Sequence, residues 1–204
     1  MLRKMTVACA LLLLLAAQLA NFSPALFSGC IVYESEYQTL AGETLFYAVK
    51  PKSWFYIQGN NFKLYDRNKQ LSELYLGEAN ALYTFAKGQA KQVADTVRRP
   101  APAALTCLPA TATILGYRCH LLRLTEGRVS TLVFYAPELR VSVAAFRRCP
   151  NPGWYALLQA TDGALPLRTI TIDTEHDVSA TREAVAVTPM LLPAADFTTT
   201  APAR

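Results

Sequence analysis

Ile31, Tyr33 and Tyr37 alternate with Glu34 and Glu36, a period of two that predicts a half-buried strand at the start of the chain's first long ordered stretch. The same pattern predicts a strand over Thr44–Lys50, with Leu45, Tyr47 and Val49 on one face and Pro51 ending it. Trp54–Ile57, Phe62–Tyr65, Leu71–Leu76 and Leu82–Ala86 read as further short strands. Ala41-Gly42, Gly59-Asn60-Asn61 and Asp66–Lys69 are the turns between them. Turn signals at a spacing of about eight to twelve residues predict an antiparallel meander rather than alternating helices and strands.

The second half is organised around residues 111–161. Thr113–Leu124 reads as one long strand, Glu126-Gly127 as its turn and Val129–Tyr135 as the returning strand. Pro137 suits a first helical position and Glu138 the first turn, with Arg147 and Arg148 in the last turn, so a helix is expected there. Trp154–Thr161 and Leu167–Thr174 read as strands around an Asp162-Gly163 turn, and Arg182–Thr188 as a continuation of the sheet. Between the halves, Gln89–Asp95 reads as a helical turn or loop, and Arg98–Ala110 as an extended linker broken by Pro100, Pro102 and Pro109. The tail over 189–204 is expected to be loose. The fold class is mainly β (α+β): an antiparallel curved sheet or open β-barrel with one or two short helices, in a single domain over 26–188.

Residues 1–25 read as an export signal: Arg3 and Lys4, an apolar run from Val7 to Ala20, then Asn21, Ser23 and Pro24. The run is short for a span of about 20 residues, and an uncleaved anchor is the competing reading. The expected location is the periplasm or the extracellular space. The net charge of +5 includes the two leader cations. The remainder is ordinary solubility charge and argues against nucleic acid and against a polybasic membrane contact.

Beyond Cys9 in the leader, four cysteines remain: Cys30, Cys107, Cys119 and Cys149. An even count in an exported chain points to disulfides, with three possible connectivities left open. Phe27-Ser28-Gly29-Cys30 also reads as a weak lipobox, which would make Cys30 a lipid-bearing residue and attach the protein to a membrane face.

Gly29, Ile31, Tyr33 and Glu34, then Ile114, Gly116, Tyr117 and Cys119, then Phe134–Leu139 and Trp154–Leu157, resemble the motifs of the GLPGLI-like and related families of exported bacterial proteins without assigned function. The Gly-Leu-Pro-Gly-Leu signature itself is absent, and Cys149–Gly153 stands in its place. The resemblance covers about residues 27–188. It implies a LolA/LolB-like half-barrel with one or two helices; the families carry no established activity, so the resemblance transfers no catalytic residues.

The chemistry-bearing residues are sparse. His120 and His176 are the only histidines. Cys119 and His120 point to opposite faces of a regular strand. Thr174–Asp177 reads as a solvated strand end, not a metal site. Glu34 and Glu36 lie about 7 Å apart on one strand face, a spacing that suits a glycosidase pair but equally the polar half of an alternating strand. No zinc-protease, paired CxxC, nucleophile-elbow, phosphate-loop or dinucleotide motif occurs. No cofactor and no metal are expected. The aromatic supply is the stronger functional signal: Tyr33, Tyr47, Trp54, Tyr56 and Phe85 fall on successive strands and are the candidate ligand-binding residues. They fit either a packed core or an apolar cavity. The expected function is a non-enzymatic envelope protein that binds a lipid or other apolar ligand, or serves as a structural or interaction module. The alternatives are an enzyme of unknown type and a lipoprotein anchored through Cys30.

Overall fold

The structure is a computed structural model, and it describes residues 25–46, 49–93 and 104–199. Eleven strands form one antiparallel sheet. The first six are β1 (Gly29–Gln38), β2 (Lys52–Gln58), β3 (Asn61–Tyr65), β4 (Leu71–Leu76), β5 (Ala81–Ala86) and β6 (Gln89–Gln92). The other five are β7 (Ala104–Ile114), β8 (Tyr117–Glu126), β9 (Val129–Arg140), β10 (Ala164–Asp173) and β11 (Val178–Pro189). The order across the sheet is β6-β5-β4-β3-β2-β1-β11-β10-β9-β8-β7. Two meanders are therefore joined by the β1–β11 pair, whose register runs from Gly29 opposite Pro189 to Gln38 opposite Ser179.

This order requires curvature. β6 and β7 are consecutive in sequence but stand at opposite edges. Ten inter-strand gaps of about 4.8 Å would separate them by roughly 48 Å in a flat sheet. Twelve peptide steps join Gln92 to Ala104, and they reach at most about 43 Å. The edges therefore curl towards one another.

The helix α1 (Pro152–Ala160) packs inside this curve. Asn151 caps it by accepting the Trp154 backbone N–H at 3.1 Å, and Pro152 occupies the first turn. Trp154, Leu157 and Leu158 then recur at helical spacing on its packed side. A 3-10 turn at Ala144–Phe146 adds Phe146 to the same core. Gly163, at φ +82°, leads the chain from α1 into β10; a Cβ there would stand 2.2 Å from the Val141 carbonyl oxygen.

Several expectations are corrected. The helix expected after Pro137 is instead the end of β9, and the strand expected over Trp154–Thr161 is α1. Pro137 is tolerated because the β9–β10 register slips nearby, between Ala164 and Leu165. Thr113–Leu124 is not one strand but a hairpin that turns at Leu115-Gly116, both at positive φ. Gln89–Gln92 is a strand, and much of the expected linker is edge strand β7. In place of the second strand, Thr44 makes one isolated bridge to Gln38.

The expected loose tail is docked through residue 197. Leu192 and Phe197 are buried against Cys30, Tyr56, Tyr65 and Leu74, on the opposite side of β1–β4 from α1. Ser28 Oγ donates to the Met190 carbonyl at 2.8 Å, and the Met190 N–H donates to the Ser28 carbonyl at 3.0 Å. This strap explains why Trp54–Ile57 reads as an unbroken apolar run. Phe55 and Ile57 face the helix-side core, while Trp54 and Tyr56 face the strap.

Candidate ligand site

The helix side of the curved sheet has two unlike ends. At one end α1 and its neighbours fill the interior with rings. Phe62 lies 5.7 Å from Phe55, 5.5 Å from Tyr75, 6.3 Å from Phe146 and 5.9 Å from Trp154, centroid to centroid. Ile31, Ile57, Leu158, Leu165 and Leu167 complete this plug without exposure.

Beyond the plug the inward residues are only half-buried. Ser35 and Thr169 stand opposite Arg182 in the register, Tyr37 and Thr171 stand opposite Ala180, and Thr131 stands opposite Thr171. Leu64 and Glu73 face one another on β3 and β4, and Leu124 faces Thr131 across β8 and β9. The hydroxyls of Thr131 and Thr171 meet at 3.1 Å. We refer to the half-buried inward side of this end, which carries leucines and hydroxyl groups, as the bowl.

Tyr33 marks the boundary between plug and bowl. Its hydroxyl donates to the Pro166 carbonyl at 2.7 Å. Burial pushes its pKa up to about 12, so the ring stays neutral. The Arg182 guanidinium carbon lies 3.9 Å from the centroid of that ring. Among the described residues, the Arg182 side chain makes no hydrogen bond or ion pair. Glu73 is raised above the usual carboxylate range by burial, and the Arg182 charge works against that shift. An open groove of about 560 Å³ lies outside the plugged end, between Leu26, Phe27, Tyr117, Leu139 and Met190.

The structure does not gather the sequence-derived ring set into one pocket. Tyr33 belongs to the helix-side core, whereas Trp54, Tyr56 and Phe85 belong to the strap-side cluster. Tyr47 lies outside the described residues. Arg182, Glu73 and Thr169 were missed because nothing local distinguishes them from the polar half of an alternating strand. The Arg182–Ala184 step, two residues apart and on one side of β11, is the only trace in the sequence.

The cysteines are likewise dispersed, and all four are free thiols in the structure. Cys30 sits in the strap-side cluster, Cys119 and Cys149 in the helix-side core, and Cys107 is exposed on edge strand β7. Burial pushes Cys149 up to about 11 and also raises Cys30 and Cys119. The lipobox reading of Cys30 conflicts with its place. It is the second residue of β1, 5% exposed. Cleavage before it would remove Phe27, whose N–H donates to the Arg140 carbonyl, and Ser28, which ties down the strap.

Glu34 and Glu36 are held by Lys52 at 3.3 Å and Lys50 at 2.6 Å, so each has a cation of its own. His120 is exposed and stacked on Tyr135, and His176 Nδ1 lies 2.7 Å from Asp173 Oδ2 in the β10–β11 turn. Among the described residues, no three His, Cys, Asp or Glu side chains are placed to share a metal ion. No helix among them is long and apolar enough to cross a membrane. The leader reading lies outside the described residues but for Ala25.

No family model matches the chain, and no curated protein matches it. Among solved structures, it is similar to PNGF-II at 13% identity and a TM-score of 0.49, over 83% of this chain and 30% of that one. It is also similar to a LolA superfamily protein from Nitrosomonas europaea, at 12% identity and a TM-score of 0.41, over 87% and 91% of the two chains. A putative outer membrane lipoprotein-sorting protein domain from Vibrio parahaemolyticus is matched at 9% and 0.35, over 84% and 89%. A likeness this distant carries nothing about ligand or activity. The structure itself defines the class: among the described residues, a curved, open antiparallel sheet closed at one end by one α-helix.

Proposed function

We propose that the protein is an exported, non-enzymatic binding module that takes an apolar chain into the open end of its curved sheet. The observation that carries this reading is the contrast between the two ends. The rings around Phe62 and α1 pack one end closely, and the inward residues from Ser35 to Thr171 stay half-buried at the other. A sheet that closed only on its own core would bury both. Leu64 and Leu124 offer apolar walls there, and the threonine hydroxyls offer few but oriented polar groups, the usual composition of a small-molecule pocket. Export rests on the leader read from the sequence.

The test is a titration with the neutral apolar fluorophore N-phenyl-1-naphthylamine. Saturable enhancement that is lost on Thr171→Trp, which fills the bowl, and kept on Leu191→Ser, in the outer groove, supports the proposal. No enhancement, or equal enhancement in both variants, rejects it.

A further inference from the structure

We propose that the ligand carries an anionic end, a carboxylate or a phosphate, and that Arg182 receives it. This rests on the apolar-chain reading above and adds the chemical class of the ligand. The argument begins with the state of the cation. A guanidinium is always charged and carries five N–H donors in a planar fork. Lys50, Lys52, Arg140 and Arg168 each meet a carboxylate at the surface. Arg182 is the contrasting case: it is half-buried on the inward side, its side chain makes no hydrogen bond or ion pair among the described residues, and its guanidinium lies against the Tyr33 ring. The ring takes one face of the guanidinium and none of its N–H groups.

The surroundings favour an anion over a neutral group. Ser35 and Thr169 flank Arg182 in the register on either side, and Thr171 lies one inward position further along β10. Their hydroxyls can donate to further oxygens of a carboxylate or phosphate. Glu73 is the carboxyl nearest in effect, yet it makes no ion pair with Arg182 among the described residues, and burial opposes its ionisation. It is a weak internal competitor for the guanidinium rather than its partner. Tyr33, neutral and hydrogen-bonded through its hydroxyl, holds the guanidinium at the boundary between plug and bowl. That is where the head of an amphiphile would come to rest with its chain along the leucines.

The experiment is displacement of N-phenyl-1-naphthylamine from the full chain by dodecanoate, dodecanol and dodecyl phosphate at low salt, with inorganic phosphate as a fourth competitor. The expected result is that the two anionic amphiphiles compete at least ~10-fold better than dodecanol, the factor a charge-assisted hydrogen bond supplies. Arg182→Gln should bring that ratio close to one. Glu73→Gln should raise the affinity for dodecanoate, a gain that a damaged fold does not mimic. Dodecanol equal to dodecanoate in the unaltered protein, or a ratio that survives Arg182→Gln, overturns the headgroup assignment and leaves the apolar-chain reading standing. Inorganic phosphate displacing the fluorophore as well as dodecyl phosphate does overturns the amphiphile in favour of a free-anion site. Displacement by none of the four sinks both readings.

Discussion

The Lys63 ammonium donates to the main-chain carbonyl of Asp196 at 2.8 Å, joining the middle of the sheet to the C-terminal strap. Lys63 is only 2% exposed and is ringed by Tyr56, Tyr65 and Phe197 at 5.2–5.5 Å. A buried ammonium is tolerable where carbonyl oxygen and ring faces replace water. Replacing it with an apolar side chain of similar length removes both the cost and the gain, whereas reversing its charge leaves an anion facing rings. Lys63→Met is therefore expected to shift the unfolding free energy by no more than about 1–2 kcal/mol, and Lys63→Glu to cost about 3–5 kcal/mol. Equal urea midpoints for the two variants would refute this account of the cage.

The strap is also what hides Cys30. Mass-mapped alkylation of the folded protein is expected to label Cys107 quickly and to leave Cys30, Cys119 and Cys149 unlabelled until the chain unfolds, because Cys107 alone of these four is exposed. Ending the chain at Pro189 removes Leu192 and Phe197 from the cluster around Cys30. In that variant Cys30 should become reactive in the folded state while Cys119 and Cys149 stay protected. Protection of all three would show that the strap does not cover this face.

The two ends of the helix side should respond differently to truncation. Phe146 is fully buried among Phe62, Tyr75 and Trp154, so Phe146→Ala is expected to cost about 3–5 kcal/mol. Thr131 lies in the bowl, half-buried, and truncation removes its hydroxyl contact with Thr171. Thr131→Ala is expected to cost about 0.5–1.5 kcal/mol. Chemical denaturation measures both, and comparable losses would mean that the bowl is packed rather than open.

Glu73 makes stability depend on pH in a definite direction. Its folded pKa is raised by burial, so between the unfolded and folded values the folded state holds more protons than the unfolded one. Stability from this group is highest below the usual carboxylate range and declines as pH rises through the raised folded value. At neutral pH Glu73→Gln should raise the thermal midpoint, and near pH 3 it should leave it almost unchanged. A midpoint lowered at neutral pH would show that Glu73 is an ion-pair partner after all.

Alternation along the chain was enough to place β1, β2, β3, β4 and β5, and the turn spacing was enough to predict an antiparallel, mainly β sheet with few helices. Those signals are local: a residue's neighbour two positions away shares its side of a strand whatever the rest of the chain does. The errors in the second half came from propensities that tertiary packing overrode. Trp154-Tyr155-Ala156-Leu157 has strand-forming aromatics, yet Asn151-Pro152 caps a helix, and Trp154, Leu157 and Leu158 supply the face it buries. Pro137 suggests a helical start in isolation, but β10 holds its strand in place across a register slip.

By itself, the sequence determined the class of fold, the surplus of aromatic residues on successive strands, and the absence of familiar catalytic motifs. Only the tertiary structure decided which sides those rings occupy. The strap over residues 190–197 buries a second sheet face, so Trp54, Tyr56 and Phe85 became strap-side core instead of cavity lining. It also decided the site. Glu73 and Arg182 lie on β4 and β11, four strand gaps apart, roughly 19 Å along a flat sheet. Curvature brings their charges into each other's field. No local pattern encodes that approach, because it follows from how the β1–β11 pair joins two meanders and from the helix around which the sheet bends.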